Sequence, residues 1–119
     1  MVNTSELGQR GEALVINWLQ SQKFKIVDVN TKTPRYEIDI IAKHKRKPYF
    51  VEVKLRGHSS QGSGFEYVTP RKLQHMKFAA ESWVAAHNYS GAYKLAAASM
   101  DGDSEDVAFT DEIWLENIQ

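Results

Sequence analysis

Residues 36–56 read YEIDIIAKHKRKPYFVEVKLR, a stretch that predicts two β-strands joined by a tight turn. The segments 36–42 and 49–56 are rich in β-branched and aromatic residues, as strands are. The basic segment between them is short enough for a hairpin. We therefore predict that the chain reverses direction between Lys45 and Arg46.

A turn centred there pairs residues whose numbers sum to 91, which sets Asp39 opposite Glu52 and Glu37 opposite Lys54. Because side chains alternate between faces of a strand, these four share one face and the apolar residues share the other. Like charges that face each other destabilise a sheet, and a divalent cation would relieve the repulsion. Alternating acidic and basic residues are also typical of the wet face of a sheet. The residues alone leave a metal site and a solvated face both open.

The remaining elements follow from apolar periodicity and from helix-capping residues. Glu12 falls at the margin of the apolar stripe of the first helix. Thr69 is the expected N-cap of a second helix that has Pro70 at its first position. The order predicts an α/β fold, α-β-β-β-α-β-β, with a mixed five-stranded sheet flanked by helices. Besides the hairpin, we predict helices over 4–22 and 70–87, strands over 24–29, 93–100 and 107–109, a polar turn at 30–34, a Gly/Ser-rich loop at 57–67 and an acidic turn at 101–105.

Length and composition bound the class of protein. A chain of 119 residues predicts one domain, residues 1–119. The absence of Cys excludes disulfides, Cys-based zinc sites and Cys nucleophiles, and it fits a cytoplasmic location. No apolar run approaches ~18 residues, and the N-terminus is too polar for a signal peptide, so we expect no membrane association.

The net charge of zero hides two oppositely charged halves. Residues 1–79 carry fourteen Lys or Arg against seven Asp or Glu, whereas residues 80–119 carry one Lys against eight acids. A basic region on a neutral protein suggests a polyanionic partner. A solvated surface balanced by an acidic tail accounts for the same numbers, and both interpretations stay open.

Three motifs together resemble the YraN-like family of bacterial proteins: GxxGEA at residues 8–13, EIDII at 37–41 and FVEVKxR at 50–56. The resemblance covers almost the whole chain and includes TPxK at residues 69–72. That family is similar to the PD-(D/E)xK nuclease-like superfamily, which includes Holliday-junction resolvases and restriction endonucleases. One departure is Tyr36, where the family usually has Gly.

The resemblance implies a restriction-endonuclease-like core and a metal-dependent endonuclease that hydrolyses phosphodiester bonds in DNA, branched or junction DNA included. It implies that Asp39 and Glu52 bind Mg²⁺ or Mn²⁺, that Glu12 completes the site, and that Lys54 positions the attacking water or stabilises developing charge. Glu37 and Gln74 are accessory candidates, and a homodimer would present two sites to two strands. The candidate phosphate contacts are Arg35, Lys43, Lys45, Arg46, Arg56, Arg71 and Lys72.

Two alternatives to an enzyme remain open from the sequence. The chain could be a nucleic-acid-binding protein that keeps the nuclease fold without catalysis. It could also be an interaction module whose acidic tail docks a basic partner. Retention of all four of Glu12, Asp39, Glu52 and Lys54 favours the nuclease.

Overall fold

The structure of the chain is a computed structural model. It describes the backbone of residues 4–34, 36–56, 68–101 and 106–111, and the side chains of 11–34, 36–54, 68–100 and 106–111. The elements are α1 (Thr4–Ser21), β1 (Lys25–Lys32), β2 (Glu37–His44), β3 (Lys47–Arg56), α2 (Pro70–Ala86), β4 (Lys94–Asp101) and β5 (Val107–Thr110).

The five strands form one mixed sheet in which spatial order follows chain order, β1-β2-β3-β4-β5. Neighbouring strands are antiparallel except β3 and β4, which are parallel because α2 carries the chain across the sheet between them. The predicted fold class is confirmed as a mixed five-stranded sheet flanked by helices in the order α-β-β-β-α-β-β. This arrangement is consistent with an α/β nuclease-like core.

The predicted hairpin register is confirmed. The paired residues of β2 and β3 run from His44 opposite Lys47 to Ile40 opposite Val51, so every pair sums to 91. The turn residues have positive φ angles, 51° at Lys45 and 71° at Arg46. A two-residue turn with both central residues in the left-handed region matches the twist of the flanking strands.

The ladder between β2 and β3 stops at Ile40 and Val51, although β3 continues beside β4 as far as Arg56. Beyond this point the two strands diverge, and β2 stays paired with β1 through Glu37. The expected pairings of Asp39 with Glu52 and of Glu37 with Lys54 are therefore both absent from the described ladder, although Glu37 pairs with Lys32 of β1. We call this divergence the strand fork.

Both faces of the sheet are covered, each by one helix. Val15 and Leu19 of α1 pack against Ile40 and Val51, and all four are almost inaccessible to solvent. On the other face α2 packs over a second cluster, formed by Ile38, Ile41, Phe50, Leu73, Ala79, Ala80, Trp83, Leu95 and Ala97. Burial of these two clusters is the main apolar contribution to stability.

This packing corrects the prediction of one core face and one polar face. Ile41 and Phe50 lie on the face that carries Asp39 and Glu52, yet α2 buries them, because the helix of a parallel crossover must pack on one side of its sheet. Strict alternation predicts that Ile38 shares a face with Ile40. Ile38 instead packs with the cluster under α2, whereas Ile40 packs with the cluster under α1. That departure falls where the β2–β3 ladder ends.

The other boundaries are close to prediction, with one correction. Residues 30–32, predicted as part of a turn, belong to β1, in which Thr31 pairs with Ile38 and Lys32 with Glu37 beyond a bulge between Ile26 and Asp28. The connection between β1 and β2 is therefore shorter than predicted. The backbone N–H of Thr33 donates to the carbonyl oxygen of Tyr36 at 2.9 Å.

The second helix begins as predicted. Thr69 is its N-cap, with the backbone N–H of Lys72 donating to Thr69 Oγ1 at 3.1 Å. Within the described ranges, neither helix combines the length and apolarity needed to span a bilayer. The predicted loop at 57–67, the turn residues 102–105, Arg35 and the side chain of Arg56 lie outside the described residues.

Candidate active site

Two carboxyl groups meet at the strand fork. The backbone N–H of Val53 donates to Asp39 Oδ2 at 2.8 Å, so this carboxyl replaces a backbone acceptor where the ladder has ended. Burial raises the pKa of Asp39 from its usual 3.8 to about 7, with hydrogen bonding to Glu52 and the charge of Glu52 as further causes. The side chains of Asp39 and Glu52 therefore meet, although the two residues are not partners in the strand ladder as predicted.

A lysine from the second helix joins this pair. Lys72 Nζ lies 2.8 Å from Glu52 Oε1, and the side chain of Glu52 is only 15% exposed. The positive charge of Lys72 lowers the pKa of Asp39, against the larger effects of burial and Glu52. The sequence singled out Lys72 only as a phosphate contact, and the short ion pair to Glu52 is a finding of the structure.

Glu12 reaches the neighbourhood of the pair from α1. Burial raises its pKa, as do the charges of Asp39 and Glu37, while a hydrogen bond from Asn30 lowers it. Asn30 Nδ2 donates to Glu12 Oε1 at 3.2 Å, so Glu12 is held towards β1. Across the described part of the chain, no three His, Asp or Glu side chains cluster closely enough to share one metal ion.

Asp39, Glu52 and Lys72 line a cavity of about 170 Å³ between the strand fork and α2. Its wall includes Tyr36 and His75, whose rings stack with centroids 4.1 Å apart. Sequence reasoning missed His75, although it follows Lys72 by three residues and so lies on the same side of the helix. The full lining is Tyr36, Glu37, Ile38, Asp39, Phe50, Val51, Glu52, Lys72, His75, Met76 and Ala79.

The remaining candidates are spread more widely. Lys54 is exposed on β3 two residues beyond Glu52 and is not among the described residues that line the cavity. Gln74 is exposed on α2 and does not line it either. Arg71 is exposed at the start of α2, beside Lys72.

The hairpin cations form a separate group. Lys43, Lys45 and Arg46 lie at the turn end of β2 and β3, away from the strand fork. Lys45 lies six positions beyond Asp39, which is about 20 Å along an extended strand. The structure therefore does not bring these cations to the carboxyl pair.

The donor set at the strand fork fits a hard divalent cation. Mg²⁺ is commonly held by one or two carboxylates, with water and phosphate oxygens completing its shell. Asp39 and Glu52 supply two carboxylates that share a cavity, and the ionised form of Asp39 would be more stable beside such a cation. Glu12, directed to Asn30, adds negative charge nearby.

Comparison with known proteins places the chain in a family. A sequence model of the family described as "Uncharacterised protein family UPF0102" matches residues 11–107. A UPF0102 protein of Cytophaga hutchinsonii is 32% identical over 104 residues, covering 87% of this chain and 92% of the relative. One from Syntrophotalea carbinolica is 42% identical over 79 residues, covering 66% and 64%. One from Anaeromyxobacter dehalogenans is 38% identical over 81 residues, covering 68% and 60%. The chain thus belongs to the UPF0102 family, the YraN-like family that its motifs resemble.

Proposed function

We propose that the protein is a metal-dependent nuclease that hydrolyses phosphodiester bonds in DNA. The observation that carries this proposal is the meeting of Asp39 and Glu52 in a cavity, where burial and mutual repulsion raise the pKa of Asp39 to about 7. Two carboxyl groups in such a place are costly for stability, and perturbed groups of this kind concentrate at functional sites.

In this proposal Asp39 and Glu52 hold Mg²⁺ or Mn²⁺. When bound there, such a cation would supply polarisation of a phosphoryl oxygen and a lowered pKa for a bound water. The N–H of Val53 keeps the carboxyl group of Asp39 oriented, as a ligand for such a cation would need to be. Glu12 adds negative charge beside Asp39, which further favours a cation at this point.

The basic side chains of the protein interact with the substrate in this proposal. Lys54 and Lys72 offer positive charge where the transition state gathers negative charge, and Lys72 does so from inside the cavity. Arg71 extends this positive charge along the start of α2. Contacts of this kind position a nucleic acid without reading its sequence. Branched or junction DNA is the substrate that the family resemblance favours, and cleavage of two strands would require a pair of copies.

The test is cleavage of duplex, single-stranded, flap and four-way-junction DNA, and of RNA, with Mg²⁺, Mn²⁺ or chelator. We expect metal-dependent cleavage that falls at least about 100-fold in Asp39→Asn and Glu52→Gln. Glu81→Gln is the matched control, because Glu81 is an exposed acid further along α2. Cleavage that persists in chelator, or that survives both site substitutions, would rule out the proposal.

A second candidate is a nucleic-acid-binding protein without catalysis. The observation that favours it is that Glu12 is tied to Asn30 and that the described residues contain no cluster of three metal-ligating side chains. This candidate predicts salt-sensitive binding with no cleavage of any substrate in the same panel. It also predicts that Asp39→Asn leaves binding unchanged or strengthens it, because a negative charge is removed.

A further inference from the structure

Glu52 already has a cationic partner within the chain. The Nζ of Lys72 lies 2.8 Å from Glu52 Oε1, a distance typical of a charge-assisted hydrogen bond. The carboxylate is 15% exposed, so little of it is available to solvent. A divalent cation that binds Glu52 must therefore compete with this ammonium group.

Lys72 is placed to change partners without movement of the helix. Its backbone N–H is fixed by the side chain of Thr69 at the first turn of α2. Its side chain is nevertheless 43% exposed, so the ammonium end is in contact with both the cavity and the solvent. A lysine has a flexible four-carbon stem and a compact charge that suits phosphate as well as carboxylate.

We propose that Lys72 is a positioning residue that exchanges Glu52 for a substrate phosphate when a divalent cation binds. In the metal-free protein Lys72 neutralises Glu52 and keeps it in place. Once the cation has taken Glu52, Lys72 is released and contacts the phosphate group of the nucleic acid. This inference rests on the proposed nuclease function and assigns a coupling role within the same site.

The exchange makes metal and nucleic acid bind cooperatively. Each ligand removes one partner of the Lys72–Glu52 ion pair and so lowers the cost of binding the other. Such coupling is reciprocal for binding affinities. Replacement of Lys72 by an uncharged residue removes the ammonium group that competes for Glu52. The free variant should therefore bind the metal more tightly than wild type does.

The experiment is calorimetric titration of Mn²⁺ into the intact free protein, as wild type and as Asp39→Asn, Lys72→Met, Lys72→Arg and Arg71→Met. We expect Lys72→Met to bind Mn²⁺ roughly 5-fold or more tightly than wild type, within the usual range of coupling between sites. Lys72→Arg keeps the competing charge and should resemble wild type. Arg71→Met removes a neighbouring exposed cation and controls for the change of net charge.

The outcomes separate the two proposals. Mn²⁺ binding that depends on Asp39 but is equal or weaker in Lys72→Met overturns the exchange and leaves the nuclease proposal standing. Mn²⁺ binding to wild type that is no tighter than to Asp39→Asn overturns both. If Lys72→Met does not fold, the side-chain NMR signals of Lys72 in wild type decide: a shift on addition of Mg²⁺ supports the exchange, and no shift overturns it.

Discussion

At the scale of a single residue, the pKa of Asp39 depends on the groups that the fold places around it. In an unfolded chain its carboxyl group is hydrated, whereas at the strand fork it is partly buried and contacts Glu52, which raises its pKa to about 7. The N–H of Val53 and the charge of Lys72 offset only part of this effect. In the absence of metal, the ionised form of Asp39 therefore destabilises the fold.

This leads to a prediction about stability and pH. Between about pH 4 and pH 7 the folded protein keeps a proton on Asp39 that the unfolded chain releases, so stability should fall as the pH rises through this window. Asp39→Asn cannot ionise and still offers an oxygen to Val53. In chelator, its advantage over wild type should be small at pH 4 and grow to at most about 4 kcal/mol at pH 8, since the pKa of Asp39 rises from 3.8 to about 7 and one pKa unit corresponds to about 1.36 kcal/mol.

Urea unfolding of both proteins across this range measures the difference. The substitution Glu81→Gln at an exposed position is the control. Its free energy of unfolding should differ from that of wild type by an amount that varies little with pH. A constant difference between Asp39→Asn and wild type would show that Asp39 keeps an ordinary pKa.

At the scale of an element, the β2–β3 hairpin carries a local conflict. A two-residue turn with both φ angles positive favours Asn and Gly, yet this turn contains Lys45 and Arg46. An L-residue in the left-handed region costs roughly 1–2 kcal/mol. The strand pairing that begins at His44 and Lys47 is strong enough to hold both residues in this conformation.

We predict that the double substitution Lys45→Asn and Arg46→Gly stabilises the protein by about 1 kcal/mol, because the new residues adopt the turn with less strain. Thermal or urea unfolding measures the change. The control is Lys25→Asn, which removes a charge from an exposed position of β1 and should not stabilise the protein. A loss of stability in the turn variant would mean that the Lys45 and Arg46 side chains make contacts that outweigh the backbone strain.

At the scale of the whole molecule, the order of the strands places the basic and acidic halves of the sequence at opposite sides of the sheet. Because the sheet runs β1 to β5 in chain order, the basic half supplies β1–β3 and the acidic half supplies β4 and β5. A polyanion is therefore expected to approach from the β1–β3 side. On that side, the hairpin turn and the strand fork are about 20 Å apart.

This separation predicts how binding responds to salt. A 20-bp duplex can contact the start of α2 and the hairpin together, whereas a single-stranded dinucleotide is too short to reach both. For the duplex, the slope of log K against log salt should fall by about 2 in the Lys45→Asn, Arg46→Gly variant, as each lost phosphate contact contributes about 0.9. For the short strand it should stay unchanged. An unchanged slope for the duplex would place the hairpin outside the interface.

The sequence alone determined the features that depend on neighbouring residues. Alternating side chains and a short basic turn were enough for the register of β2 and β3, and Thr69 with Pro70 was enough for the start of α2. These features were predictable because period-two patterns, turn geometry and capping are local effects. The same alternation brought Asp39 and Glu52 to one face.

Only the tertiary structure decided what surrounds that pair. The strand fork exists because β3 leaves β2 and remains beside β4, which lies some forty residues later in the chain. Packing of α2 over this face covers Phe50 and sets Lys72 against Glu52. These contacts join segments that are remote in sequence, so no local pattern encodes them, and the burial that raises the pKa of Asp39 arises only when the segments pack together.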